Sequence, residues 1–362
     1  MAGKWELFVS IGQVLPDVDV DFLRRVLLDL CRIPSPTGMT DQAIDYVESA
    51  LRDMGVPAER TKKGALLARI EGESSSAPRA LAAHVDTLGA MVAHIKSNGR
   101  LQLTQLGSYS WNTVEGEYCT IRAFDGRMYS GTIMIAASSV HVHGDGTSKM
   151  ERNAENMEVR VDARTTSANE TRALGIAVGD FVTLDARAQY IQPGFIKSRH
   201  LDDKAGVACM LGAVGSLAHV RPAQTTYLFV SNYEEVGHGA AGVVPSEVGE
   251  LVAVDMAAVG DGFQTSDEYH VTICVKDASG PYDPLVSGRL RRLAADFGIP
   301  FIVDTYRRYS SDASAALRAG GQFRTALVGP GVDASHSFER THEDGLRATT
   351  ALCLAYLLSP SE

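Results

Sequence analysis

Histidines and carboxylates recur in this sequence as short patches, most of them at the ends of apolar runs. His84 and Asp86 close the run ALAAHVD. Residues two apart on a strand share a face, so Asp86 can accept a hydrogen bond from the His84 imidazole. That contact fixes the tautomer and frees the other ring nitrogen for a metal. Asp202 and Asp203 follow His200 in HLDDKAG, where a helical run begins. Two acids there could simply favour the positive end of the helix, or one could bridge two cations. Glu234 and Glu235 follow the apolar strand YLFV in NYEEVG. Like charges at the tip of a buried strand are costly unless a cation or proton compensates. Asp255 ends VAVD, and His336 lies in GVDASHSFERTH just after the strand TALVG. Each patch alone also fits a structural role. Together they form a mixed imidazole and carboxylate set that suits zinc and its first-row neighbours.

The elements that must position these groups are legible from periodicity. Residues 17–32 and 41–54 carry apolar side chains at helical spacing, with the loop IPSPTG between them. The near-continuous apolar run from residue 80 reads as a central strand covered on both faces. From about 90 to 192, short alternating segments such as RLQLTQLG, RMYSGTIMIA and NMEVRVDART are separated by turn signals, which predicts a β-rich module. His141 and His143 fall on one side of a strand expected there. The strand–helix alternation returns near 197 and continues to the last helix, DGLRATTALCLAYLL. This pattern predicts an α/β fold with a mixed, mostly parallel sheet covered by helices. That domain would comprise residues 1–89 and 193–362, interrupted by a β-rich insert at 90–192. Strand ends of such a sheet share an edge where ligands bind, so the five patches should converge.

A chain of 362 residues is long enough for about two domains. Its formal charge of −10 argues against a phosphate backbone as partner, so no nucleic acid is expected. No stretch of about 18 apolar residues occurs, so no membrane span is expected. The N-terminal MAGKWELFVSIGQ lacks the apolar core and cleavage site of an export leader. Five scattered cysteines without a CxxC pair read as free thiols in a reducing, cytoplasmic setting.

The series HVDTLGAMV, HLDDKAGVACM, NYEEVGHGAAG, AVDMA, SSDASAALRAGG and the late SH resembles the M42 family of metallo-aminopeptidases, over about residues 20–360. The β-rich insert between the HxD and Asp-Asp patches accords with that family. The resemblance implies that His84, Asp202 and Asp255 hold one metal, and Asp202, Glu235 and His336 the other. It makes Asp202 the bridge, Glu234 the general base and Asp86 the residue that orients His84. It also implies two divalent ions per subunit (zinc or cobalt, with manganese tolerated) and short peptides as substrates. A PDZ-like insert that helps form a homo-oligomer, often a dodecamer, is part of the same implication. His342, six residues beyond His336, competes for the last ligand position. Asp312 in SSDA, His238 and the run Tyr306–Tyr309 are further pocket candidates. Two other readings fit parts of the pattern. Paired carboxylates also serve glycoside hydrolases, although that chemistry needs neither histidine. A degenerate site with the insert as a peptide-binding or assembly module is the non-enzymatic alternative.

Overall fold

In the computed structural model, residues 15–361 are described apart from 219 and 262–264. The segment read as lacking an export leader therefore lies outside the described residues. Strand Ser74–His84 is buried from Pro78 onward. It runs parallel to Gln224–Ser231 on one side and to Glu250–Val254 on the other. Arg324–Asp333 adds a fourth parallel strand beside Glu250–Val254. Outside this centre the pairing changes. Leu66–Ile70 joins antiparallel to Gln224–Ser231, and Val271–Asp277 joins antiparallel to Arg324–Asp333. Glu339–His342, Phe195–Ser198 and Gln189–Ile191 extend the sheet antiparallel at the far end. The sheet is thus mixed, with parallel strands mainly at its centre, and the expectation of a mostly parallel sheet is corrected. The strand Leu66–Ile70 shows why: its outer residues are half-buried or exposed, which antiparallel edges tolerate and covered parallel strands do not.

Two cores sandwich the sheet. On one face, helix Leu201–Leu217 is buried almost all round, with Val207, Cys209, Met210 and Leu211 inside. A helix apolar on every side must be covered on every side. Helices Val20–Arg32 and Glu343–Leu358 supply that cover. Asp19 caps the first of these, accepting the Phe22 N–H at 2.9 Å. On the other face, Tyr227, Phe229, Leu251, Leu327 and helix Asp312–Arg318 form the second core.

Lys204 is fully buried in this framework, and burial lowers its pKa to about 8. Its ammonium turns away from the neighbouring carboxylates and donates to the Leu30 and Ile33 carbonyls at 2.8 and 2.7 Å. They lie at the C-terminal end of helix Val20–Arg32, where the Ile33 N–H also reaches the Leu30 carbonyl at 3.0 Å. Lys204→Ala should cost about 2–5 kcal/mol, from the cavity and the two lost hydrogen bonds. Urea unfolding would read this as a lower midpoint at unchanged m-value, and a midpoint equal to that of the parent chain would refute the capping role.

The insert is a closed six-stranded barrel, from Gly89–Ile95 to Phe181–Leu184. Closure removes free edges, and Val92, Leu103, Ile121, Ile133, Val159 and Val182 fill the interior. The barrel ends at Leu184, and Gln189–Ile191 already belongs to the large sheet, so the boundary read at 192 falls past the return. His141 and His143 lie in a single exposed helical turn, Val140–His143, rather than on a strand. The alternation in VHVH misled, because hydrogen bonds from His143 to Ser139 and from Gly144 to Val140 close the turn. All five cysteines are buried and unbridged. Among the described residues, no helix is long and apolar enough to cross a membrane.

Candidate metal centre

Three parallel strands end at the same edge, and each delivers an acid or an imidazole. His84 is the last residue of Ser74–His84. Glu234 and Glu235 follow Gln224–Ser231 in a tight turn, and Asp255 follows Glu250–Val254. Asp202 arrives from a bend with non-helical backbone, before the regular turns of helix Leu201–Leu217. Its carboxylate is therefore not a simple helix-end acid. His336 sits in the turn between Arg324–Asp333 and Glu339–His342, with a left-handed φ of 63°.

These side chains meet. His84 Nε2 lies 3.2 Å from Asp202 Oδ1 and 3.7 Å from Glu234 Oε2. His336 Nε2 lies 3.3 Å from Asp202 Oδ2 and 3.6 Å from Glu235 Oε2. The two oxygens of Asp202 thus face one imidazole each. Two ligand groups close enough to hold an ion are His84, Asp202 and Glu235, and His84, Asp203 and Asp255. The second contains Asp203, which the sequence reading left without a role. Both Asp203 oxygens already accept main-chain N–H groups, from His84 at 3.2 Å and Gly206 at 2.9 Å.

The orienting contacts differ in part from expectation. His84 Nδ1 meets the main-chain carbonyl of Asp86 at 2.9 Å, whereas the nearest Asp86 carboxylate oxygen is 3.7 Å away. That carboxylate instead accepts the N–H groups of Glu234 and Glu235, at 3.1 and 3.3 Å, and the Thr37 hydroxyl at 2.7 Å. Asp86 therefore fixes the Glu234–Glu235 turn by satisfying N–H groups at its start. His336 Nδ1 faces the Ser108 carbonyl at 2.5 Å, a contact from the barrel segment. No side-chain signature could have announced it. Glu339 is a second residue the sequence reading passed over. It is buried and accepts N–H groups from Leu201, Asp202 and His336. A lone glutamate three residues after His336 was its trace in the sequence.

His342 does not belong to the cluster. Its Nε2 lies 2.9 Å from the Pro193 carbonyl, and its Nδ1 accepts the Asp344 N–H, capping the final helix. His238 stacks on Tyr233 with ring centroids 5.1 Å apart. Asp312 is buried behind the site, accepting the Ser231 hydroxyl at 2.5 Å and the Ala240 N–H at 2.7 Å. An open cavity of about 1380 Å³ leads from Asp202, Glu234, Glu235, Asp255 and His336 past Arg307, Arg308 and Tyr309.

Charge is crowded here. Burial and then Asp202 push Asp255 up to about 7. Burial, with Asp255 among the neighbouring acids, pushes Glu234 well above the ordinary carboxylate range. Burial and Asp202 do the same for Glu235. Burial opposes charge on His336, but the Asp202 hydrogen bond and Glu235 raise it to about 10. Asp202 is likewise penalised by burial, yet His336 and His84 hold it low. Acids outnumber imidazoles, so the cluster carries negative charge that it cannot satisfy internally. One oxygen makes the point directly: Glu235 Oε1 is buried without any hydrogen-bond partner. Buried polar atoms are ordinarily paired, and an acceptor left bare among acids fits a cation. The residues present therefore fit a divalent metal site.

Residues 64–352 match the family described as M42 glutamyl aminopeptidase. A Bacillus subtilis protein named as an aminopeptidase, YhfE, is 48% identical over 338 residues, covering 93% of this chain and 97% of that protein. The aminopeptidase APDkam598 of Desulfurococcus kamchatkensis superposes with a TM-score of 0.84 at 23% identity, covering 94% of this chain and 96% of its own. The TET1 peptidase of Pyrococcus horikoshii gives 0.82 at 18% identity, with 93% and 99% covered. Both share the mixed α/β fold with its separate barrel.

Proposed function

Because the chain belongs to the M42 peptidase family, we propose that it is a two-metal aminopeptidase removing N-terminal residues from short peptides. The observation that carries this reading is the arrangement around Asp202. Its two oxygens face His84 and His336, one each, beside the partnerless Oε1 of Glu235. In this reading His84, Asp202 and Asp255 hold one cation, and Asp202, Glu235 and His336 the other. Asp203 is left out of both sets, since main-chain donors from His84 and Gly206 occupy both its oxygens. Zinc or cobalt suits the ligand set best, and manganese is tolerated.

When bound, the two cations would acidify the attacking water and polarise the scissile carbonyl. Glu234 is the general base. Its side chain lines the cavity, 3.7 Å from His84 Nε2. Its raised proton affinity suits a group that takes a proton from water on its carboxylate and hands it to the leaving amine. Asp86 holds the turn that aims Glu234, and its main-chain carbonyl orients His84.

The barrel is the assembly module in this reading, PDZ-like in role. Phe124 is fully exposed there, and Tyr118 and Met128 are largely so, as a self-association surface requires. The TET1 peptidase of Pyrococcus horikoshii assembles into a tetrahedron or a large octahedral shell. A homo-oligomer, with a dodecamer as one form, is the corresponding proposal for this chain. Five buried free thiols fit a cytoplasmic location.

A panel of amino-acid p-nitroanilides, assayed with EDTA and then with zinc or cobalt added back, tests the function. Hydrolysis should vanish with chelator, return with metal, and be absent for N-acetylated substrates. Chelator-resistant cleavage, or equal cleavage of acetylated substrates, would sink the reading. Chelator-resistant hydrolysis of p-nitrophenyl glycosides would instead favour a glycosidase-like pair of acids, and both histidines facing Asp202 speak against that.

A further inference from the structure

Asp202 and His336 come from segments far apart in the chain, and neither sits in regular backbone. Asp202 lies in a non-helical bend just after His200, which has a left-handed φ of 69°. His336 lies in a turn where Ala334 and His336 are both left-handed. Neither segment has a ladder to hold it at a fixed place. Both hang from a single carboxylate. Glu339 Oε2 accepts the N–H of Leu201 at 2.6 Å and that of Asp202 at 3.2 Å. Its other oxygen, Oε1, accepts the N–H of His336 at 3.0 Å. Glu339 is buried, at 1% exposure, and is the first residue of strand Glu339–His342, so its own backbone is anchored in the sheet.

We propose that Glu339 is a positioning residue that sets the separation between Asp202 and His336, and so preforms the cation site those two share with Glu235. The inference rests on the two-metal reading. It adds a role that belongs to neither a ligand nor a base. The geometry makes the role selective. His84 and Asp255 are held by other contacts, the Asp86 carbonyl at His84 Nδ1 and the Met256 N–H at Asp255 Oδ1. Loss of the Glu339 clamp would weaken most the cation site that takes two ligands from the clamped segments, Asp202 and His336, and less the one that takes Asp202 alone. A residue that served only general stability would weaken both alike, or neither.

The replacement Glu339→Gln tests this. The amide keeps the shape but retains only one acceptor oxygen, so one of the two segments loses its anchor and faces an N–H₂ donor. Metal-depleted parent and variant chains would be titrated with cobalt by calorimetry, and the visible spectrum of bound cobalt would be followed. The parent should take up two equivalents. E339Q should lose about 10- to 100-fold in one equivalent, the range seen when groups behind metal ligands are removed, and distinctly less in the other. Its cobalt spectrum should change most for that equivalent. Should E339Q fail to fold, Glu339→Asp carries the test. It keeps the charge but loses one methylene of reach, and the same selective weakening is expected. Two equivalents at parent affinity in a folded variant, or equal weakening of both, would overturn the positioning role. Fewer than two equivalents in the parent itself would instead remove the two-metal reading, and this inference with it.

Discussion

Glu234→Gln should lower kcat/KM by about 10²- to 10⁴-fold while leaving both cations bound. General acid–base groups contribute on that scale. The amide is nearly the same size, so the turn held by Asp86 through the Glu234 and Glu235 N–H groups should survive. Glu234 acts here as a base and not as a ligand, which is why metal content should not follow activity. The useful measurement pairs turnover on a good p-nitroanilide with metal content on the same sample. A variant that hydrolyses at the parent rate contradicts the base assignment. One that loses its cations along with its activity makes Glu234 a ligand instead.

Asp202→Ala should abolish measurable turnover by a different route. Asp202 presents one oxygen to each imidazole, so its removal touches both proposed cations at once. Cation affinity should fall by more than the roughly 100-fold that groups behind the ligands can cost. Asp255→Ala and His336→Ala each touch one site, so each should leave one equivalent bound. Equilibrium dialysis against zinc would separate the three variants. If Asp202→Ala retained two tightly bound ions, the bridging role would be lost, and Asp203 would be the candidate to take its place.

The sequence reading reached as far as strand ends could carry it. Apolar runs that stop at His84, Glu234 and Asp255 are visible as letters, and parallel strands must deliver their ends to one edge. Residues in irregular backbone were harder. His200, Asp202, Asp203 and Lys204 are nearly consecutive, yet they serve different ends. Asp202 faces the imidazoles, Asp203 ties down main chain, and Lys204 caps a helix on the far side. No periodicity encodes such a bend. Asp86 was expected to hold His84 through its carboxylate, but the carbonyl of the same residue does so. Main-chain acceptors leave no trace in residue type, and the Ser108 carbonyl at His336 was invisible for the same reason. His342 competed with the favoured His336 in the sequence, and its ring proved to be a helix cap. The parallel centre of the sheet was readable from buried runs. Its antiparallel margins were not, because short half-buried strands carry little directional signal.

The account stands most directly on one observation, obtainable from crystals soaked in zinc or cobalt. Anomalous difference maps collected on either side of the metal edge should show two peaks per chain. One should lie among His84, Asp202 and Asp255, the other among Asp202, Glu235 and His336. A single peak, or strong peaks only at sites away from Asp202, would contradict it.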